Sequence, residues 1–158
     1  MINLNTFLLE EYNSTNSEHR AVTRLMEEDA RVRRYIYKDM EEFINHLLEK
    51  KNEFNDPYIN WYVAYLKREE PIPVGMIGLD YRDNKYFVDY CILPKARGEN
   101  IGLTLAQQYS YYLVDDLGLD KVYGVIDASN KASITNAERI GYKKIDDTTY
   151  QLETKRSR

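Results

Sequence analysis

Residues 88 to 105 read Val-Asp-Tyr-Cys-Ile-Leu-Pro-Lys-Ala-Arg-Gly-Glu-Asn-Ile-Gly-Leu-Thr-Leu. A β-rich stretch ends at Leu93-Pro94, a short loop carries Arg97, Gly98 and Asn100, and a helical pattern starts at once, with Gly102 in its first turn. A helix N-terminus offers unpaired backbone N–H groups and about half a positive charge, which together hold an anionic phosphate. Glycines let backbone approach a ligand closely, and asparagine adopts the left-handed conformation that glycine otherwise supplies. Arg97 adds a forked cation whose geometry suits phosphate. No Gly-Lys-Ser/Thr follows, so this is not a P-loop. The preceding strand belongs to an expected hairpin, so it is not the dinucleotide glycine pattern either. Two readings of the residues stand: a phosphate or pyrophosphate site, or a glycine-containing turn that merely opens a helix.

Working outward, the helix predicted over Ile101–Leu117 places Ile101, Leu105, Tyr109, Leu113 and Leu117 on one face at i, i+4 intervals, with Gly118 as its stop. Upstream, Trp61 to Leu66, Ile72 to Tyr81 and Tyr86 to Leu93 read as strands, the last two joined by a turn at Asp83-Asn84. Downstream come a short, largely buried strand at Val122–Ile126, a helix over Asn130–Ile140 stopped by Gly141, and a hairpin over Tyr142–Leu152 around Asp146-Asp147. The first part of the chain gives a strand at Thr6–Tyr12 and a helix capped by Ser17 that runs to Glu28 and buries Val22, Leu25 and Met26. A short helical piece follows at Asp29–Tyr37. A helix capped by Asp39 then buries Phe43, Ile44, Leu47 and Leu48. Lys155–Arg158 reads as a frayed, charged tail. Antiparallel strands followed by a strand-helix-strand unit predict an α+β fold, a mixed sheet with helices packed on it.

The chain of 158 residues is the size of one domain and needs no metal or disulfide to build a core. Its net charge is −4, which speaks against a polyanion such as nucleic acid as main partner. The acidic balance fits a cationic or amine substrate and equally an ordinary soluble surface. One cysteine, Cys91, rules out an internal disulfide and a cysteine-based zinc site. The N-terminus lacks the pattern of a signal peptide, and no run approaches the roughly 18 apolar residues of a membrane span. A reducing, cytoplasmic setting is the expectation, with no membrane partner. No metal site is apparent. Cys91 is expected to pack rather than react, and His19 and His46 to be solvated surface side chains.

With these residues in view, the chain resembles the GNAT superfamily of N-acetyltransferases. The family's acetyl-CoA loop, Gln/Arg-x-x-Gly-x-Gly/Ala, is matched by Arg97-Gly98-Glu99-Asn100-Ile101-Gly102, with Asn100 where glycine is usual. Asn130-Lys131-Ala132-Ser133 followed by Gly141-Tyr142 is similar to a second family segment, Asn-x-x-Ser/Ala…Gly-Phe. The likeness covers Val74 to about Leu152 and is weak over the first 60 residues. It implies one domain over residues 1–158, with 1–60 a variable acceptor-side part and 61–154 the acetyl-CoA-binding part. It also implies two parallel strands, ending at Leu93 and Ile126, that splay to admit the cofactor. Backbone near Ile92 and Leu93 would then pair with the pantetheine arm. The N–H groups of Arg97, Gly98, Glu99, Asn100, Ile101, Gly102 and Leu103 would hold the pyrophosphate, and Asn130 would touch the arm from the other side.

The reaction so implied is direct attack of an amine, on a small molecule or a protein N-terminus, on the thioester of acetyl-CoA. The oxyanion donor would be a strand-end N–H near Leu93. Many relatives place an acidic tyrosine where this chain has Ala137. Ser133 matches a serine of the branch resembling ribosomal-protein N-terminal acetyltransferases. Its hydroxyl either assists the leaving thiolate or caps the helix. Asp89, predicted to share a face with Phe87, Cys91 and Leu93, is either the general base or a surface carboxylate. A monomer or homodimer is implied. The competing readings are a domain that binds acyl-CoA without turnover and an interaction protein with no cofactor.

Overall fold

The computed structural model of the chain describes residues 1–29 and 39–154. The helical piece expected at Asp29–Tyr37 and the tail at Lys155–Arg158 therefore lie outside the described residues, Asp29 excepted. The elements in chain order are β1 (Ile2–Asn3), β2 (Phe7–Glu11), α1 (Ser17–Glu28), α2 (Met40–Phe54), β3 (Asn60–Leu66), β4 (Ile72–Arg82), β5 (Lys85–Ile92), α3 (Ile101–Tyr111), β6 (Lys121–Val125), α4 (Lys131–Ile140), β7 (Lys143–Lys144) and β8 (Thr149–Glu153). They form an α+β fold around an eight-stranded sheet of order β1-β2-β3-β4-β5-β6-β8-β7, antiparallel throughout except for β5 and β6.

The sheet is covered on both faces. Alternation along each strand sends one set of side chains to α3 and α4 and the other to α1 and α2. Leu9, Ile77, Val88, Ile92 and Val122 pack with Leu105, Tyr109 and Ile140 on the first face. Val63, Met76, Cys91 and Leu93 pack with Val22, Met26, Ile44 and Leu47 on the second. Trp61 is wholly buried on that second face, with Phe43 edge-on at 5.1 Å. A Cβ on Gly78 would lie 2.3 Å from both the Trp61 ring and the Asn60 carbonyl, so only glycine lets β4 cross there. Asp83 and Asn84 both hold positive φ, 52° and 61°. That is the turn whose twist matches a two-residue hairpin, and it fixes Arg82 opposite Lys85.

Several expectations are corrected. Asn16, not Ser17, caps α1, its side chain accepting from the N–H groups of Glu18 and His19. The buried stripe is His19, Val22, Thr23 and Met26, which turns Leu25 to solvent. His19 is therefore no surface residue. Its Nδ1 accepts from the Asn13 N–H at 3.0 Å, which leaves the proton on Nε2, 3.1 Å from a Glu10 carboxylate oxygen. His46 is exposed. The helix expected to reach Leu117 loosens after Tyr111 into a π turn over Tyr112–Asp116, which still buries Leu113 and Val114. β6 is buried at Val122 but half-open at Tyr123 and Gly124, because one of its edges borders a notch.

β4 also carries a charged cluster. Asp80 accepts from Lys50 Nζ at 2.8 Å and from Arg82 Nη1 at 2.7 Å. Burial pushes its carboxyl upward, but Lys50, Arg82 and the Tyr81 N–H outweigh that and hold it below the usual range. A lowered folded value means that these pairs stabilise the fold above the ordinary carboxylate pKa of about 4. The contribution is lost as pH falls through the folded value. Asp80→Asn should cost about 2 kcal/mol at pH 7, and the difference from wild type should vanish in urea melts taken at progressively lower pH.

Candidate functional site

β5 and β6 share one register pair, Phe87 with Tyr123, and then part. Each strand end is held by its other neighbour. The Leu93 N–H donates to the Val74 carbonyl at 2.8 Å, tying the end of β5 to β4. The Ile126 N–H donates to the Thr148 carbonyl at 2.8 Å, tying the end of β6 toward β8. A notch opens between them. Because Leu93 bonds toward β4, the alternation of an antiparallel ladder turns the N–H and C=O of Ile92 and Tyr90 the other way, toward the notch. The Leu93 N–H is thereby committed to β4, so a strand-end donor near Leu93 is one of the turned-out groups and not Leu93 itself. Its side chain is likewise buried among the α1 and α2 contacts, away from the groove.

The loop after β5 begins with a 3-10 turn, Pro94–Ala96, whose last bond uses the Arg97 N–H. Gly98 and Asn100 then take left-handed conformations, φ +99° and +58°. The first backbone bond of α3 runs from the Thr104 N–H to the Asn100 carbonyl at 2.9 Å. The N–H groups of Ile101, Gly102 and Leu103 thus precede the helical ladder. The Asn100 side chain makes no capping bond to them. They face a groove of about 330 Å³ whose near wall is Arg97, Gly98 and Asn100 and whose far wall is Asn130, Ser133 and Asn136 of α4. Gly102 is where three elements meet. A Cβ there would sit 3.3 Å from Ile92 Cγ1 and 3.6 Å from the Tyr90 ring.

The structure gathers most of the predicted residues. Ile92, Arg97, Gly98, Asn100, Ile101, Gly102, Leu103, Asn130 and Ser133 all border this groove, whereas the exposed Glu99 side chain does not. Arg97 has a second engagement: its guanidinium pairs with Asp29 at the end of α1. Removing Arg97 would therefore take a cation from the loop and one partner from the buried Asp29 carboxylate, and would not be neutral for the fold. Asn130 caps α4 by accepting from the Ser133 N–H at 3.4 Å, so the capping role falls to Asn130 and not to the Ser133 hydroxyl. Asp89 lies on the strand face predicted for it, its carboxylate 3.7 Å from Arg82 Nη1. Arg82 also stacks 4.2 Å above Phe87. Burial pushes the Cys91 thiol up to about 12, which removes it as a thiolate nucleophile.

Sequence reasoning missed Tyr90 and Asn136. Burial raises the Tyr90 pKa, against the opposing effect of hydrogen bonds from Asn136 and Ser133, so its phenol stays protonated at neutral pH. The signal was available. Tyr90 alternates with Val88 and Ile92, and Asn136 follows Ser133 by three residues, on one helix face. Among the described residues no group of three His, Cys, Asp or Glu side chains is placed to hold a metal. None of their helices is long and apolar enough to cross a membrane.

A sheet splayed at its one parallel pair, with an uncapped helix N-terminus at the mouth of the notch, defines the acetyltransferases that use a CoA thioester as donor. The comparisons with known proteins agree: the sequence profile of the acetyltransferase (GNAT) domain matches residues 9–143, and the chain belongs to that family. Solved structures share the fold. One is an acetyltransferase (GNAT family) from Bacillus anthracis, with TM-score 0.74, 17% identity and 96% of this chain and 97% of that one covered. Another is the N-acetyltransferase PseH from Campylobacter jejuni in complex with acetyl coenzyme A, with TM-score 0.61, 16% identity and 93% and 98% covered. A third is the dodecameric spermidine N-acetyltransferase from Vibrio cholerae, with TM-score 0.68, 14% identity and 96% of each chain covered. No curated protein sequence matches the chain.

The left-handed turn at residue 100 carries a stability prediction. Asn100→Val should cost about 1–2 kcal/mol, because a β-branched residue is strained at that φ. Asn100→Gly should be neutral or stabilising, both being read from the shift in thermal midpoint.

Proposed function

We propose that the protein transfers an acyl group from a CoA thioester to a primary amine, of a small molecule or a protein N-terminus, by direct attack. The observation that carries this reading is the set of main-chain nitrogens at the start of α3. They lead the helical ladder, lack a side-chain cap and face an open groove. The diphosphate of CoA sits over them, stabilised by the helix dipole. The pantetheine arm lies in the notch and bonds to the turned-out groups of Tyr90 and Ile92, as an added strand would. Asn130 borders the arm from the α4 side. The acetyl-CoA complex of the Campylobacter jejuni relative supports a cofactor of this kind.

On this path the Tyr90 N–H, not that of Leu93, is the strand donor nearest the thioester carbonyl and supplies the oxyanion contact. The Tyr90 phenol and the Ser133 hydroxyl form the pair from which the leaving thiolate takes its proton. Burial keeps that phenol protonated through the neutral range. An alkyl amine with a pKa of about 10 must lose a proton before attack. Asp89, which lines the space beyond Tyr90 together with Asp127, is the carboxylate assigned to accept it. The Vibrio cholerae relative, named for spermidine, supports an amine as acceptor class.

One observation favours a second reading, an acyl-CoA-binding domain without turnover: Asp89 is already engaged by Arg82. Thiol release from acetyl-CoA in the presence of an amine panel separates the two. Binding with no thiol release across the panel would establish the second reading.

Two predictions follow from the site. Asn100→Asp keeps the left-handed turn and adds a capping carboxylate, so the thermal midpoint should hold or rise. The same charge faces the diphosphate and should weaken CoA binding about tenfold in calorimetric titration. Unchanged affinity would place the diphosphate elsewhere. Tyr90→Phe combined with Ser133→Ala should lower kcat by about 100-fold while CoA affinity stays within a few-fold. Equal losses in binding and kcat would assign the two hydroxyls to holding the arm rather than to proton transfer.

A further inference from the structure

Lys50, Asp80, Arg82 and Asp89 meet on the sheet face that α1 and α2 cover. Asp80 stands directly opposite Phe87 in the ladder, and Gly78 opposite Asp89. Opposed residues share a face, as do residues two apart along a strand, so Asp80, Arg82, Phe87 and Asp89 project together. Lys50 reaches Asp80 from α2. Gly78 gives Asp89 no side chain from directly across, and the Trp61 ring fills the space above that glycine. A cation approaches Asp89 from the end of β4 instead.

That cation, Arg82, is shared unequally. Its Nη1 lies 2.7 Å from Asp80 Oδ2 and 3.7 Å from Asp89 Oδ2. The first contact is a hydrogen bond, and the second is too long to be one. The guanidinium also rests 4.2 Å over the Phe87 ring, which supports it from below. Asp80 is buried and held at both oxygens. Its Oδ1 accepts from Lys50 Nζ at 2.8 Å and from the Tyr81 N–H at 2.7 Å, and its Oδ2 accepts from Arg82. Burial opposes its charge, but these donors keep its carboxyl below the usual range, so the grip on Arg82 lasts through neutral pH. A carboxylate bonded directly to arginine is a weaker base than one that only feels the cation nearby.

We infer that Asp80 is a positioning residue: by holding the Arg82 guanidinium over Phe87, it keeps that cation from closing on Asp89 and leaves the Asp89 carboxylate able to take the proton of the incoming amine. The inference rests on the reading above, in which Asp89 is the proton acceptor. It also answers the observation that favours a domain without turnover, because the engagement of Asp89 by Arg82 is the longer of the two contacts. The charged and titratable groups around Asp89 are Arg82 and Asp80 from β4, Lys50 from α2 behind Asp80, Cys91 on its own strand, and Tyr90 and Asp127 along the space it lines. Lys85 and Tyr123 flank Phe87, and Arg97 and Asp29 lie beyond Cys91.

Carbon-13 NMR of the full chain, labelled at the aspartate carboxyl carbons, follows Asp89 through a pH titration, its signal identified by its loss in Asp89→Asn. Arg82→Gln takes the cation away, so Asp89 should titrate about one pH unit higher. Asp80→Asn frees the guanidinium to close on Asp89, which should then titrate lower than in wild type. In the double variant Asp80 has nothing to act through, so Asp89 should titrate as it does in Arg82→Gln alone. The acid limb of kcat/KM should move with the Asp89 midpoint in each variant, which a loss of stability alone would not cause. An unmoved Asp89 in Arg82→Gln overturns the inference, and that variant decides the matter if Asp80→Asn does not fold. A shift from Asp80→Asn that persists in the double variant also overturns it, since that is the direct field of Asp80 and not an arginine held in place. Should the midpoints move as expected while Asp89→Asn keeps wild-type turnover and its acid limb, the parent assignment of Asp89 as base fails and the coupling of Asp80 to Asp89 through Arg82 stands.

Discussion

A sheet that stops pairing in its middle must be held open from outside the gap. Here two backbone hydrogen bonds do this, Leu93 to Val74 on one side and Ile126 to Thr148 on the other. Each commits a strand end to its outer neighbour and so denies it to the strand across the notch. The rest of the site depends on that constraint. Were β5 and β6 to pair to their ends, Tyr90 and Ile92 would spend their backbone groups on β6, and the groove under α3 would close. The helices on the two faces make the gap tolerable, since each half of the sheet keeps its own packing with Leu105 and Tyr109 above and Ile44 and Met26 below.

The loop that opens α3 shows which parts of such a site a sequence can carry. Gly98 and Asn100 announced their positive φ, because few other residues accept it. The match of Arg97 through Gly102 to a family pattern marked the turn that opens α3. Strand and helix order from Trp61 onward was legible from β-rich runs, turn residues and the helical spacing of α3, although β3 and β4 are buried on both faces. Features fixed by partners distant in sequence were not legible. His19 looked polar among polar neighbours, yet Asn13 and Glu10 give it two partners in the core. Arg97 was read as a cation for the ligand, and nothing local revealed Asp29 as its partner 68 residues away. A donor was expected near Leu93, and the bond that commits the Leu93 N–H to Val74 became visible only in three dimensions.

The Arg97–Asp29 pair also connects two parts of the molecule that the sequence kept separate. Asp29 closes α1, on the sheet face opposite α3 and α4. Arg97 stands in the loop between β5 and α3. A buried carboxylate with an arginine partner is costly to separate, so the loop's position is set in part by the helix across from it. The first part of the chain therefore helps to fix the loop that opens α3.

The open notch bears on how the protein survives in a crowded solution. Unpaired strand edges recruit other strands, and proteins commonly shield them with charges, bulges or covering loops. The edges of β5 and β6 face each other inside one sheet, roofed by α3 and α4, where an intruding chain would have to thread between two walls. A slender, flexible molecule with amide groups of its own can enter, whereas a folded neighbour's strand cannot. The geometry that exposes hydrogen-bonding backbone to a ligand thus also protects it from aggregation.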